Sequence, residues 1–180
     1  GLLDPAYLSQ RARLISPFGP ATSYAAGTPP RAAARTPGRG GEVPQTSHFV
    51  AVDAAGNIAS MTSTVEGIFG SQLVARGMVL NNELTDFSHE PEANGAPVAN
   101  RVEPGKRPRS SMSPTIVYDA QNRPILAVGS AGGSRIIMHV VKALVGVLDF
   151  GLPADRAIAL PNIYMAGDGL ILENTPMGQA

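Results

Sequence analysis

Two segments in the first half of the chain have the pattern of side chains that is typical of β-strands. In an extended strand over residues 46–52, His48, Val50 and Val52 fall on one face and Phe49 and Ala51 on the other, and residues 58–65 run back with a period of two. The residues between them, 53–57, include Asp, Gly and Asn, which are typical of turns. A period of two residues is typical of a half-buried strand. The pattern therefore predicts a β-hairpin that begins at Thr46.

The second half of the chain contains a second predicted hairpin followed by a helix. Residues 115–119 and 124–129 are predicted to form two strands around a polar turn. For the helix that follows, Ser134 is a candidate N-cap and Gly151 is a stop signal. Helical spacing predicts that its buried face consists of Ile136, Ile137, Val140, Val141, Leu144, Val145 and Leu148.

Shorter elements complete the predicted order. Asp4-Pro5 is a helix-start signal, and the helix is predicted to end at Ser16-Pro17. A short helix is predicted near residues 153–159, with strands near 162–165 and 169–173. Because the order is strands, then helices, then strands, it favours an α+β fold with antiparallel sheets and helices packed on a face.

The segment of residues 17–45 differs from the rest of the chain. It is rich in Pro and Gly and nearly devoid of large apolar side chains. Residues 1–45 also hold five Arg against Asp4 and Glu42. The composition favours an exposed, mobile segment, and an ordinary interdomain linker is the alternative. A basic tail for nucleic acid is disfavoured, because spaced arginines form a weak patch.

The overall composition excludes several classes of function. Lys and Arg total 14 and Asp and Glu total 14, so the formal net charge is zero. A balanced charge gives no reason to expect nucleic acid or an anionic membrane as a partner. The absence of Cys excludes disulfides and a cysteine nucleophile. No stretch of about 20 apolar residues is present, so we expect no membrane span in this chain.

Three polar segments carry candidate chemistry. The glycine-rich run 129–133 lies between a strand and a helix, where backbone N–H groups bind phosphate or form an oxyanion hole; a plain turn is the alternative. Ser110 and Ser111 can hold a carboxylate, although such residues are also common in turns. Glu83 and Asp86 flank a polar bend and can bind an amine, unless the bend is simply a solvated loop.

The histidines suggest no site, but Thr46 is one further candidate for chemistry. His48, His89 and His139 are scattered and lack metal-ligand spacing, so we expect no metal site. Thr46 is an ordinary strand residue unless the bond between Gln45 and Thr46 is cut. After such a cut, the new α-amine, with a pKa of about 8, would lie beside the threonine hydroxyl. One residue would then supply both nucleophile and base.

Seven short segments of the chain carry a family resemblance when they are taken together and in order. These segments are Thr46–Phe49, Asp53–Asn57, Thr62–Thr64, Leu80–Glu83, Asp86–Ser88, Arg107–Thr115 and Gly129–Arg135. In sequence and spacing they resemble the γ-glutamyltranspeptidase family of N-terminal-nucleophile hydrolases. The similarity extends over about residues 46–175, and Asp4–Tyr7 resembles the end of the family's large subunit.

The resemblance implies a role for each matching residue. Thr46 corresponds to the nucleophile that self-cleavage after Gln45 releases, and Thr64 to the threonine that hydrogen-bonds it. The backbone N–H groups of Gly132 and Gly133 correspond to the oxyanion hole. The substrate's α-carboxylate would be held by Ser110 and Ser111, and its α-amino group by Glu66, Glu83 and Asp86.

The implied activity is that of a self-processing γ-glutamyltransferase or glutathione hydrolase that needs no cofactor. It would act on glutathione and other γ-glutamyl amides through an ester on Thr46, with water, an amino acid or a peptide as the acceptor. Two alternatives stay open: a related amidohydrolase such as a cephalosporin (glutaryl) acylase, and a processing-defective, non-catalytic relative. The loop between Asp86 and Ser110 is short and lacks the aromatic residue of the family's lid.

The resemblance also implies an architecture. The expected fold is the four-layer αββα sandwich of N-terminal-nucleophile hydrolases, only partly represented in this chain. Residues 1–45 are expected to be the C-terminal tail of the large subunit with a mobile linker before the cleavage site. Residues 46–180 are expected to be the small, catalytic subunit, truncated at its C-terminus, in a heterodimer with the large subunit. A periplasmic or extracellular location is expected, with any targeting segment upstream of Gly1.

Overall fold

The computed structural model describes residues 1–19, 25–36, 46–166 and 169–179. The chain divides into two units: the first combines Gly1–Gly40 with Phe87–Pro108, and the second combines Gly41–Asp86 with Arg109–Ala180. Gln45 and part of the Pro- and Gly-rich segment before it lie outside the described residues. The expected division into two subunits before residue 46 therefore stays a prediction.

The first hairpin of the second unit joins β1 (Thr46–Val52) to β2 (Ile58–Thr64) in antiparallel pairing. The register places the first residue of β1 opposite the last residue of β2. In the turn, the Asp53 carboxylate accepts a hydrogen bond from the N–H of Asn57 at 2.8 Å. The Asn57 side chain also donates to this carboxylate at 2.7 Å, which lowers the pKa of Asp53. The predicted hairpin and its start are confirmed.

A second hairpin, β7 (Thr115–Tyr118) with β8 (Pro124–Val128), leads into the main helix of this unit. After β8 the chain first tightens into a 3₁₀ turn, Gly133–Arg135, before helix α2 (Ile136–Leu148) begins. Ser134 lies within this turn and not at the N-cap of α2, so its predicted capping role is wrong. The glycine-rich loop nevertheless connects strand to helix, as the sequence predicts.

Helix α2 packs against α3 (Ala154–Ala159) through small residues. Ala157 is fully buried, and a Cβ built on Gly146 would lie only 2.8 Å from the Cβ of Ala157. The close approach turns the buried face of α2 toward Ile136, Val140, Ala143 and Gly146. The predicted buried face is therefore wrong in part, because the following members are exposed: Ile137, Val141 and Leu148.

The remaining hairpins of the second unit are short. Strands β3 (Val74–Ala75) and β4 (Met78–Val79) form one, and β9 (Ile163–Ala166) and β10 (Gly169–Leu172) form the other. A four-residue helix, α4 (Pro176–Gln179), follows. The strands predicted near 162–165 and 169–173 are thus confirmed within a residue or so at each end.

The first unit begins with helix α1 (Pro5–Ala12) and contains the hairpin of β5 (Glu92–Ala93) and β6 (Ala96–Pro97). The Asp4 carboxylate caps α1 as predicted, accepting from the N–H of Tyr7 at 2.9 Å. The helix ends before the predicted Ser16-Pro17 stop, because none of its residues is buried and no packing extends it.

An ion-pair network fixes the loop that follows β6 in the first unit. The Glu103 carboxylate accepts from Arg101 at 2.7 Å and from Arg35 at 2.9 Å, and Lys106 lies 3.5 Å away. The hydrogen bond from Arg101, followed by that from Arg35, lowers the pKa of Glu103 to about 2. These three cations hold one carboxylate in its charged form.

The described elements agree with the predicted fold class. Each of the five hairpins pairs antiparallel, and the order of strands and helices is that of an α+β protein. Among the described helices, none combines the length and apolar character needed to cross a bilayer.

Candidate active site

A single cleft in the second unit collects most of the residues predicted to form the site. Eight of the nine predicted site residues line it, together with Met112 and Ile136. Gly132 is the ninth; it immediately precedes a lining residue. The eight are Thr46, Thr64, Glu66, Glu83, Asp86, Ser110, Ser111 and Gly133. The cleft thus joins five separate segments of the chain, while the individual roles of these residues remain predictions.

The two threonines face each other at the open end of the first hairpin. Thr46 and Thr64 are partners in the antiparallel register, and both are partly buried. Side chains directly opposite in such a pair lie about 4.5–5.5 Å apart at Cβ. The Thr64 hydroxyl accepts from the N–H of Glu66 at 2.8 Å. Thr64 lies opposite Thr46, and its role in orienting the hydroxyl of Thr46 stays a prediction.

Glu66 enters the cleft from a strained turn at the end of β2. Its φ of 71° is in the left-handed region, which is uncommon for a residue with a side chain, and it is only 9% exposed. Asn82 holds this turn from the other side, because its side-chain oxygen accepts from the N–H of Gly67 at 2.8 Å. The backbone N–H of Asn82 donates to the carbonyl of Val65 at 3.2 Å. These contacts fix the conformation that places Glu66 among the cleft residues.

Three carboxylates converge at one end of the cleft. Glu83 and Asp86 begin and end a short 3₁₀ turn, and one carboxylate oxygen from each, with one from Glu66, lie within 4.8 Å of one another. Because no two of these oxygens are more than 4.8 Å apart, the point between them lies at most about 2.8 Å from each, within the length of a charge-assisted N–H···O bond. An ammonium group has three N–H donors and matches this set.

The same three carboxylates have the chemistry of ligands for a hard divalent cation. Oxygen ligands alone do not distinguish a metal ion from an ammonium group, so the expectation that the site uses no metal stays a prediction. Either a metal ion or an ammonium group would reduce the repulsion among three close carboxylates. What the arrangement provides in either case is a site for a positive group.

Two hydroxyls occupy another part of the cleft wall. Ser110 accepts from the N–H of Met112 at 3.2 Å, which turns the chain so that Ser110, Ser111 and Met112 all line the cleft. Ile136, which is 1% exposed, forms the adjoining apolar wall. Serine hydroxyls donate to carboxylates. The cleft therefore offers hydroxyl donors in addition to its group of acids.

The glycine-rich loop reaches the cleft that Thr46 lines. Gly132 has a φ of 126° and Gly133 a φ of 59°, conformations that glycine adopts without strain. Gly133 lines the cleft with Thr46 and opens the 3₁₀ turn that leads into α2. Backbone N–H groups ahead of a helix favour negative charge. The position of the loop is consistent with the oxyanion hole that the sequence predicts, and that role stays a prediction.

Sequence reasoning missed three contributions. Asn82 lies in a predicted polar bend, but its bond to the N–H of Gly67 has no signal in the sequence. Met112 stands between polar residues, and only the turn at Ser110 reveals it as a wall residue. The contact between Ser130 and His139, at 3.0 Å, joins a loop to a helix nine residues later, and helical periodicity gives no indication of it.

The sequence is similar to known proteins over most of its length. The family model described as gamma-glutamyltranspeptidase matches residues 1–180. The glutathione hydrolase proenzyme of Bacillus subtilis (strain 168) is 37% identical over 174 residues, which cover 91% of this chain and 28% of that protein. The acylase ACY 1 proenzyme of Pseudomonas sp. (strain SE83) is 32% identical over 174 residues, which cover 96% of this chain and 28% of that protein. The chain thus spans little more than a quarter of the length of these curated relatives.

The fold is similar to solved structures as well. A crystal structure of a mutant gamma-glutamyltranspeptidase from Helicobacter pylori aligns with a TM-score of 0.60 and 39% identity, covering 69% of this chain and 72% of that chain. The fold expected from the sequence, α+β of the N-terminal-nucleophile hydrolase type, is therefore confirmed. The sequence motifs, the fold and the family match over residues 1–180 agree, and the chain belongs to the gamma-glutamyltranspeptidase family.

Proposed function

We propose that this protein is a self-processing γ-glutamyltransferase or hydrolase that acts on glutathione and related γ-glutamyl amides. The observation that carries the proposal is the shared cleft of Thr46 with three carboxylates and two serines. A γ-glutamyl group has an ammonium, a carboxylate and a reactive γ-carbonyl, and the cleft offers a partner for each. Relatives named glutathione hydrolase proenzyme support glutathione as the substrate and a precursor that is processed.

Substrate binding would use the two charged groups on the α-carbon of the γ-glutamyl group. The α-ammonium donates to Glu66, Glu83 and Asp86, whose spacing fits three bonds from one nitrogen. The α-carboxylate accepts from the hydroxyls of Ser110 and Ser111. With both charged groups of the α-carbon held, the γ-carbonyl carbon at the other end of the short side chain is positioned for attack, and this loss of freedom before the reaction lowers the barrier.

Catalysis would proceed by acyl transfer through Thr46. Its α-amine, with a pKa of about 8, takes the hydroxyl proton while Oγ1 attacks the γ-carbonyl carbon. The N–H groups of Gly132 and Gly133 stabilise the oxyanion. The carbon–nitrogen bond then breaks, the leaving amine takes the proton, and a γ-glutamyl ester remains on Thr46. Water or an amino group attacks this ester, which restores the free hydroxyl.

The same hydroxyl would release its own α-amine during processing. Thr46 Oγ1 attacks the carbonyl of Gln45, and water hydrolyses the resulting ester to give two chains. The large subunit would be the chain that precedes the cleavage site and the small subunit the chain that begins with Thr46. The active form would be a heterodimer of the two. A periplasmic or extracellular location belongs to the proposal, in line with the family resemblance.

An acylase that removes a glutaryl group is the second candidate, and the similarity to the acylase ACY 1 proenzyme favours it. Such a substrate has the same carbon chain as a γ-glutamyl group but lacks the α-ammonium. Three close carboxylates favour a substrate that carries a positive group, and a glutaryl group has none, which disfavours this candidate on electrostatic grounds. A non-catalytic relative is the third possibility, and lack of turnover would support it.

The experiment compares two substrates and two variants of the full-length protein. A γ-glutamyl anilide and a glutaryl anilide share the leaving group and differ in the α-amine. We expect turnover of the first to exceed that of the second, and we expect Thr46→Ala to abolish it. Ser47→Ala is the matched control, because Ser47 is the exposed neighbour on the opposite face of β1. Preference for the glutaryl substrate, or full activity of Thr46→Ala, would contradict the proposal.

A further inference from the structure

The glycine-rich loop 129–133 rests against two histidine rings. A Cβ built on Gly129 would collide with the imidazole of His48, and one built on Gly132 would lie 3.3 Å from Cε1 of His139. Because Gly132 has a φ of 126° and no side chain, its own conformational preference does not fix the orientation of the peptide before it. Contacts from outside the loop have to supply that orientation.

The hydrogen bonds of Ser130 identify one such contact. Its hydroxyl donates to the carbonyl oxygen of Ala131 at 2.8 Å, and the same Oγ lies 3.0 Å from Nδ1 of His139. A serine hydroxyl has a single proton, and the carbonyl already accepts it. Nδ1 of His139 is therefore the donor in the second bond. The two bonds form a chain from the imidazole, through the hydroxyl, to the carbonyl of Ala131.

The carbonyl at the end of this chain belongs to the peptide that carries the N–H of Gly132. In a planar trans peptide the C=O and the N–H point in opposite directions, so a fixed carbonyl also fixes the N–H. Under the proposed function, that N–H is one of the two oxyanion donors. A rotated peptide would present the carbonyl oxygen where a donor is required.

We infer that His139 and Ser130 are positioning residues that hold the Ala131–Gly132 peptide with its N–H directed for oxyanion stabilisation. The inference rests on the proposed function. Neither side chain is among the described residues that line the cleft with Thr46. Both side chains act on the reaction only through this peptide. A substitution at either residue should therefore weaken stabilisation of the transition state more than it weakens substrate binding.

The kinetic test uses the full-length protein and substitutions that differ in the position of one nitrogen. The amide nitrogen of an asparagine occupies the position of Nδ1, whereas that of a glutamine reaches the position of Nε2. For His139→Gln and for Ser130→Ala we expect kcat for a γ-glutamyl anilide to fall about tenfold or more with KM within about twofold, since losing one oxyanion donor costs about 10²–10³. His139→Asn should recover most of the lost kcat.

The double variant His139→Gln with Ser130→Ala should be no worse than either single variant, because both break the same chain of bonds. Melting temperatures measured on the same samples should not follow the kcat values. Unchanged kcat in both single variants, a loss in KM alone, or His139→Asn as poor as His139→Gln would overturn the inference. Absence of turnover in the wild type would instead count against the proposed function.

A spectroscopic measurement tests the hydrogen-bond chain without relying on turnover. With the protein ¹⁵N-labelled at histidine, we expect the neutral His139 ring to carry its proton on Nδ1, and Ser130→Ala to shift this signal. A neutral ring protonated on Nε2 would overturn the inference even if the protein is an active enzyme.

Discussion

Replacing Glu83 by glutamine tests how the cleft recognises an amine. The substitution keeps the size of the side chain and one acceptor oxygen but removes one of the three converging negative charges. The three oxygens are close enough for one ammonium group to make a hydrogen bond to each. The variant should therefore weaken one of three bonds and leave the rest of the cleft intact.

The size of the effect follows from that geometry. A hydrogen bond to a charged group contributes about 1.5–3 kcal/mol. Because glutamine still accepts a hydrogen bond, the lower end applies, and about 1.5 kcal/mol corresponds to roughly a tenfold change. Removing a negative charge does not penalise a substrate that lacks the α-amine. The preference for γ-glutamyl over glutaryl substrates should thus fall about tenfold.

The assay measures kcat/KM for γ-glutamyl and glutaryl anilides with the full-length wild type, Glu83→Gln and Glu92→Gln. Glu92 is an exposed glutamate of β5, outside the cleft, so its substitution controls for loss of a charge. We expect only Glu83→Gln to lose preference. An equal loss for both substrates would refute the reasoning, because it would show that Glu83 does not act through the amine. An unchanged preference would refute it as well.

Three further predictions concern the cation site, the helix packing and the acid stability. A chelator such as EDTA should leave γ-glutamyl hydrolysis unchanged, and activity that is lost on chelation and restored by a divalent cation would contradict the amine assignment. Gly146→Ala should lower thermal stability, since about 1–3 kcal/mol of overpacking outweighs a helix-propensity gain of about 1 kcal/mol. The added Cβ would lie 2.8 Å from that of Ala157, so Ala157→Gly should relieve the clash. The double variant should therefore lose less stability than the sum of the losses in the two single variants, and additive losses would contradict the contact. The pKa of Glu103 is lowered to about 2 from 4.5, so its contribution to stability should be complete above about pH 5 and be lost as the pH falls toward 2. Denaturation of the wild type and of Glu103→Gln at several pH values should show that the difference in their stability shrinks over this range. A difference that does not shrink would contradict the prediction.

Local patterns in the sequence are sufficient to predict the first hairpin. Two strand-like segments, residues 46–52 and 58–65, flank a short turn whose Asp53 side chain bonds the backbone, and this leaves little choice of structure or register. The face of α2 could not be predicted in the same way. A prediction from helical periodicity relies on the large apolar residues. The contact with α3, however, is made by Gly146 and Ala157, whose small size allows the two helices to approach each other.

That these candidate residues belong to one site could be predicted only through the family resemblance. Residues as far apart in the chain as Thr46 and Gly133 line one cleft, and no local periodicity links them. The left-handed backbone of Glu66 and its support by Asn82 depend on contacts that form only in the folded chain. The same holds for the bond of His139 to the glycine-rich loop, which is a matter of tertiary placement.

The central claim is that Thr46 becomes an N-terminal nucleophile that accepts a γ-glutamyl group. The most direct measurement is mass spectrometry of the full-length protein, before and after brief reaction with a γ-glutamyl anilide and acid quenching. We expect cleavage between Gln45 and Thr46, absent in Thr46→Ala, and a mass increase of one γ-glutamyl group on the peptide that begins with Thr46. An intact wild-type chain, or a γ-glutamyl group on any other residue, would contradict the account.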